Sequence, residues 1–136
     1  MAKTALDLDS LKAHIGRRVV SSDVVTAAPA NLLRLTFGRS GPELASGDAL
    51  PPGWHILYFL PRFGPDALHP DGSPRDAGVV PPMPLPRRMF AGERFRCQRP
   101  RRVGDQLRRE SERRDISMTE GGTGPLVFAT VVNRIF

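Results

Sequence analysis

Apolar and polar positions follow different rhythms along this chain, and each rhythm predicts an element. In Leu8-Asp9-Ser10-Leu11-Lys12-Ala13-His14-Ile15-Gly16, the helical spacing of Leu11 and Ile15 predicts a short helix that Asp9 or Ser10 can cap and Gly16 can end. Residues 17–26 (RRVVSSDVVT) are β-branched and interrupted by polar residues, which predicts an edge strand or extended entry segment. Thr26 then opens AAPANLLRLTF, where a threonine cap, a proline in the first turn and Gly38 past the end predict a helix of about three turns. Leu32, Leu33 and Phe37 put apolar groups on nearly every side of it, as a helix wrapped by a sheet requires.

Trp54-His55-Ile56-Leu57-Tyr58-Phe59-Leu60 is apolar on both alternating faces and bracketed by Pro51-Pro52 and Pro61, which predicts a buried strand. Residues 61–86 hold 8 of the 14 prolines. A long irregular stretch of this kind is usually functional, and PPMPLP at 81–86 predicts a stiff extended overhang across a pocket. From Glu93 to Arg99 the chain alternates, which predicts a strand with Phe95 and Cys97 inward and Arg94, Arg96 and Gln98 outward. Pro100 stops it and Gly104-Asp105 makes a turn. Gln106 to Ser117 is polar, anchored by Leu107 and Ile116; Gly121 to Gly124 predicts a loose hairpin turn, and Leu126 to Phe136 a strong strand. The predicted order is helix, strand, helix, strand, overhang, three strands: an α+β domain with an antiparallel sheet around one helix, spanning 1–136 as a single unit.

Composition narrows the class. The 136 residues fit one ordinary domain, 40% apolar content suffices for a core, and no apolar run approaches the ~18 residues of a membrane span. The opening MAKTALDLDS lacks the order of a signal peptide and carries acids, so a cytoplasmic protein is expected. A lone Cys97 supplies neither an internal disulfide nor a thiolate metal cluster. The net charge of +6 rests on 18 arginines and only 2 lysines, which favours anionic partners without choosing among them.

The segment AGERFRCQRPRRVGD, followed by a strand, a Gly-rich turn and GPLVFATV, resembles the MaoC-like branch of hot-dog hydratases and dehydratases, including hydroxyacyl-thioester dehydratases. WHILYFLP and VPPMPLPRRM match the same pattern, so the similarity runs from about residue 10 to 136. The resemblance implies a thioester lyase that adds water across an enoyl thioester or removes it, with acyl-CoA or an acyl-carrier thioester as substrate and no cofactor. In that family an Asp and a His on a Gly-Asp-x-Asn-Pro-x-His stretch carry the chemistry, and in two-hot-dog members this stretch sits in the C-terminal half. The N-terminal half shapes the acyl pocket. This chain resembles that N-terminal, non-catalytic half.

The family's catalytic stretch has no counterpart here. Asp9 and His14 have its spacing, but Leu11 replaces the Asn and no Gly precedes Asp9; a capped surface helix accounts for both. Gly47-Asp48-Ala49-Leu50-Pro51 reads as a turn, although Asp48 with His55 stays open as an unconventional pair. His55 fits either a hydrogen-bonded core position or a pocket wall, and His69 fits a solvated loop. No catalytic or metal-binding residue is therefore expected. The resemblance assigns the acyl pocket to Trp54, His55, Phe59, Pro82 and Met83. Cys97 reads as a small core hydrophobe, with a reactive thiol as the alternative.

Eleven of the 18 arginines lie between Arg87 and Arg114. A solvated sheet face with cross-strand ion pairs explains them, as does a CoA-phosphate site, for which Arg87, Arg88, Arg101 and Arg102 are the candidates near the overhang. Nucleic-acid binding is disfavoured because no aromatic residues interleave with the basic strands. A lone hot-dog leaves strand edges bare, so a second hot-dog domain or subunit is the expected partner, in a hetero- or homo-oligomer. The rival reading is a non-catalytic thioester-binding or assembly module.

Overall fold

The computed structural model describes residues 7–76, 78–80, 85 and 87–136. Its regular elements are helix α1 (Leu8–Lys12), strand β1 (Arg18–Val24), helix α2 (Ala27–Thr36), 3-10 turns at Trp54–Leu57 and Pro65–Ala67, and strands β2 (Gln106–Gly121) and β3 (Gly124–Ile135). The strands form one antiparallel sheet in the order β1-β2-β3. No helix among the described residues is long and apolar enough to cross a membrane.

Pairing registers follow from the backbone bonds. Arg113 N–H donates to Arg17 O at 3.0 Å, and Val25 N–H to Asp105 O at 2.9 Å, so β1 and β2 run antiparallel past one another. Arg108 and Phe136 exchange both their amide bonds, at 3.1 and 2.9 Å, at the open end of the β2–β3 hairpin. Leu107, Ser111, Glu112, Arg113 and Ile116 are the buried residues of β2, three of them consecutive, so burial along the strand does not alternate strictly.

Contacts divide the chain into two compact units. The first gathers the described residues of 1–20, 62–89 and 110–135. Here α1 is capped by Asp7, whose carboxylate accepts the N–H of Asp9 at 3.1 Å and of Ser10 at 3.2 Å, two or three residues before the Asp9 or Ser10 cap expected. The Ser10 hydroxyl also donates to Asp7, and these bonds hold the Asp7 carboxyl below its usual range. Gly16, at φ +88°, turns the chain so that its N–H reaches Arg113 O at 2.8 Å. Arg113 is fully buried: its Nε donates to Val79 O and an Nη to His14 O at 3.2 Å. Its other Nη has no partner among the described residues. Burial, with Arg17 adding repulsion, pushes its pKa down.

The second unit gathers 21–61, 90–109 and 136, with a core of Val25, Ala30, Leu50, Trp54, Tyr58, Phe59, Val103 and Leu107. Thr26 caps α2 by position without a side-chain bond, and Asn31 clamps Leu44 through both its amide atoms, at 3.0 and 2.8 Å. The expected Gly104-Asp105 turn is present: Gly104 sits at φ +103°, and Asp105 accepts the Arg102 N–H at 2.9 Å.

Three sequence expectations are corrected. The enclosed helix is largely open: α2 buries Ala30, while Leu32, Leu35 and Phe37 are 64%, 67% and 61% exposed. Trp54–Leu60 is no strand, because Gly53 at φ +88° and Phe59 at φ +59° bend the backbone into a 3-10 turn between two reversals. Period-two apolarity at 93–99 produces no strand either, since the segment finds no ladder; Phe95 is 54% exposed and Cys97 lies at the surface, its thiol bonded to Arg99 O at 3.2 Å. The last third therefore holds two strands rather than three.

Candidate functional site

β1 enters the second unit with an acid, Asp23, in its β-branched run. Each carboxylate oxygen accepts a backbone amide: Oδ1 from Val24 at 2.8 Å, Oδ2 from Phe59 at 2.6 Å. The second bond pins Phe59 in the left-handed region, a conformation a bulky side chain enters only when its surroundings impose it. The preceding Tyr58 is buried and donates its hydroxyl to Thr26 O at 2.7 Å. Burial first, and then the nearby Asp23 charge, raises the Tyr58 pKa above 10.

Arg109 arrives from β2 and lays its guanidinium over the Phe59 ring, 4.7 Å from the centroid. Its Nε donates to Ser21 Oγ at 3.2 Å. Burial lowers its pKa and Asp23 opposes that shift. Ser21, Asp23, Phe59 and Arg109 thus form a polar cluster on one buried aromatic ring. An open cavity of about 610 Å³ is lined by Ser22, Asp23, Val24, Gln106, Leu107, Arg108 and Phe136, so Asp23 belongs to the cluster and to the cavity wall.

The residues expected at the acyl pocket fall in several places. Trp54 and Phe59 are each only 8% exposed. Trp54 lies under Arg39 at 5.5 Å and tilted against Phe37 at 6.4 Å. His55 is half-buried, its ring edge-on to Phe95 at 6.1 Å. Pro82 and Met83 lie outside the described residues. Of the CoA-phosphate candidates, Arg87 and Arg88 are exposed in the first unit; Arg101 and Arg102 belong to the second, and Arg102 donates to Gly47 O at 2.8 Å. Asp48 closes a turn by accepting the Ala45 N–H at 2.7 Å. His69 sits near Asp71 in a loop where Ser73 bonds lower the Asp71 pKa.

Other arginines of the strands do form cross-strand pairs. Glu112, buried on β2, meets Arg134 of β3 at 3.1 Å and Arg18 of β1 at 3.5 Å, and Arg114 of its own strand at 3.7 Å. The Arg134 hydrogen bond, followed by the other guanidinium charges, lowers its pKa. Sequence reasoning missed Asp23 and Arg109. The available signal was a lone acid inside a β-branched strand; its partner Phe59 could not be read, because the contact joins distant segments.

A family model described as hydroxyacyl-thioester dehydratase type 2 matches residues 53–135. Mesaconyl-C(4)-CoA hydratase of Chloroflexus aurantiacus is 41% identical over 124 residues, 91% of this chain, and the chain spans 44% of that relative's length. The chain belongs to the hydroxyacyl-thioester dehydratase type 2 family, within the MaoC-like hot-dog hydratases and dehydratases.

Proposed function

We propose that residues 1–136 act as one hot-dog that shapes the acyl pocket of an enoyl-thioester hydratase or dehydratase, while a second hot-dog supplies the catalytic Asp and His. The observation that carries this reading is the alignment: 91% of the chain matches only 44% of a hydratase, leaving room in that relative for another domain. The exposed apolar side of α2, with Leu32, Leu35 and Phe37, supports a partner, since a patch of this kind ordinarily meets another surface. Trp54, His55 and Phe59 would line the acyl side, and Arg101 and Arg102, in the same unit, would meet the CoA phosphates. The substrate is an acyl-CoA or acyl-carrier thioester, and no further cofactor enters the reaction.

The experiment is hydration of crotonyl-CoA and mesaconyl-CoA by the purified chain, alone and mixed with a hot-dog protein bearing Gly-Asp-x-Asn-Pro-x-His. Activity only in the mixture supports the division of labour. Enzyme-level rates from the chain alone would overturn it.

A further inference from the structure

We infer that Arg113 anchors a small monovalent anion, of which chloride is the common example, inside the first unit. Arg113 is fully buried. Its Nε donates to Val79 O, and Nη1 donates to His14 O at 3.2 Å. Both acceptors are neutral carbonyls, which satisfy donors without balancing the charge. Nη2 is buried as well and has no acceptor among the described residues. A guanidinium keeps its proton in a protein, so it cannot escape burial by becoming neutral. A buried charge of this kind calls for an opposite charge beside it.

The chain's own acids are engaged elsewhere. All 14 Asp and Glu residues lie among the described residues, and none of them forms an ion pair with Arg113. The adjacent Glu112 is held by Arg134, Arg18 and Arg114. Arg17, whose carbonyl accepts the Arg113 N–H at 3.0 Å, adds a repelling charge. Arg17 in turn meets Asp76 at 3.9 Å, and Asp76 also accepts the Gly78 N–H at 2.8 Å. With that pair balanced, the charge of Arg113 stands over, and one monovalent anion offsets it. Enclosure selects for size. Nη2 is shut off from the surface, so its ligand enters as the unit folds or opens locally, whereas a side chain on a docking partner reaches only what is exposed. Arg113, Arg17, His14, Asp76 and Val79 all belong to this one unit.

The test is the chloride dependence of folding of the full chain. Urea unfolding is followed by circular dichroism at constant ionic strength, with bulky gluconate as the balancing anion. An ion bound only by the folded state raises the folding constant in proportion to one plus the ratio of chloride concentration to Kd. A rise in chloride from about 20 to about 200 mM is expected to raise that constant about five- to tenfold. Arg113→Met fills similar space without charge and should remove the response. Should that variant fail to fold, wild-type crystals grown in bromide decide the matter: an anomalous peak within hydrogen-bond reach of Nη2 is expected. A folding constant that changes less than about twofold, a response that persists in Arg113→Met, or water alone at Nη2 in the bromide crystals overturns the inference. None of these readouts involves a thioester, so the proposed function stands or falls separately.

Discussion

Asp23→Ala is the substitution that most directly tests the geometry of the second unit. It removes the acceptor of two amides. Val24 is exposed, so water replaces its bond at little cost. Phe59 is buried, and its N–H would be left without an acceptor, a loss of about 1–3 kcal/mol. If the left-handed backbone at Phe59 is kept, its strain is the same in both proteins and the lost bond alone sets the cost. If the loop relaxes instead, the ring leaves its place under Arg109 and the cation–π contact, about 0.5–2 kcal/mol, goes with it. Either route gives a destabilisation of about 1–3 kcal/mol. The single tryptophan, Trp54, lies in the same unit and reports its unfolding in urea. With a slope of about 1.5 kcal/mol per molar, the midpoint should fall by about 0.7–2 M. Asp23→Asn retains one carbonyl oxygen and should lose roughly half as much. Amide exchange at Phe59 should accelerate in the alanine variant. A cost below about 0.5 kcal/mol, or an asparagine variant as damaged as alanine, would refute the account of Asp23 as the acceptor that pins Phe59.

Three other perturbations have defined outcomes. The folded pKa of Glu112 is depressed, so its contribution is present above the ordinary carboxylate value of about 4.3 and is lost as pH falls through the folded value; Glu112→Gln should flatten melting temperature against pH below about 5. The Tyr58 shift has the opposite sense: its stabilisation is complete below about pH 10 and disappears as pH rises through the raised folded value, so Tyr58→Phe should cost about 1 kcal/mol near neutrality and lose that alkaline dependence in urea titrations. Gly104→Ala places a Cβ with ample room, 3.6 Å from Ser46 Oγ, yet at φ +103°; a cost of about 1–2 kcal/mol is expected by chemical denaturation, against a near-neutral Gly122→Ala, whose Cβ meets nothing within 4 Å.

The elements that could be read from the sequence are those whose signal is local. The hairpin glycines at 121 and 124, the Gly104-Asp105 turn and the anchors Leu107 and Ile116 stand where the pattern placed them, because turn chemistry and alternation act over a few residues. The run from Trp54 to Leu60 misled because its apolarity is genuine but its backbone is set by reversals at Gly53 and Phe59. The segment around Phe95 misled for a different reason: alternation licenses a strand only where a neighbour supplies a ladder. α2 was correctly bounded and wrongly enclosed, since a helix's apolar sides do not say which of them the same chain will cover. In the candidate site, Trp54 and Phe59 were legible as large buried aromatics. The Asp23–Phe59–Arg109 arrangement was not, because each partner comes from a separate stretch of chain.

The strand order also fixes a schedule of assembly. β2 is joined to β3 through just Gly122 and Thr123, so that pairing can zip outward from its turn within microseconds. On its other side β2 waits for β1; the contact between Arg109 and Ser21 spans 88 positions. Long-range closures of this kind set the pace of folding. During the wait, 16 residues of β2 offer an open ladder to any passing chain. Arg108, Arg109, Glu110, Glu112, Arg113 and Arg114 lie along that edge, and a strand so densely charged is a poor template for self-association. The composition of β2 thus guards the chain before β1 arrives, in addition to fastening the sheet afterwards.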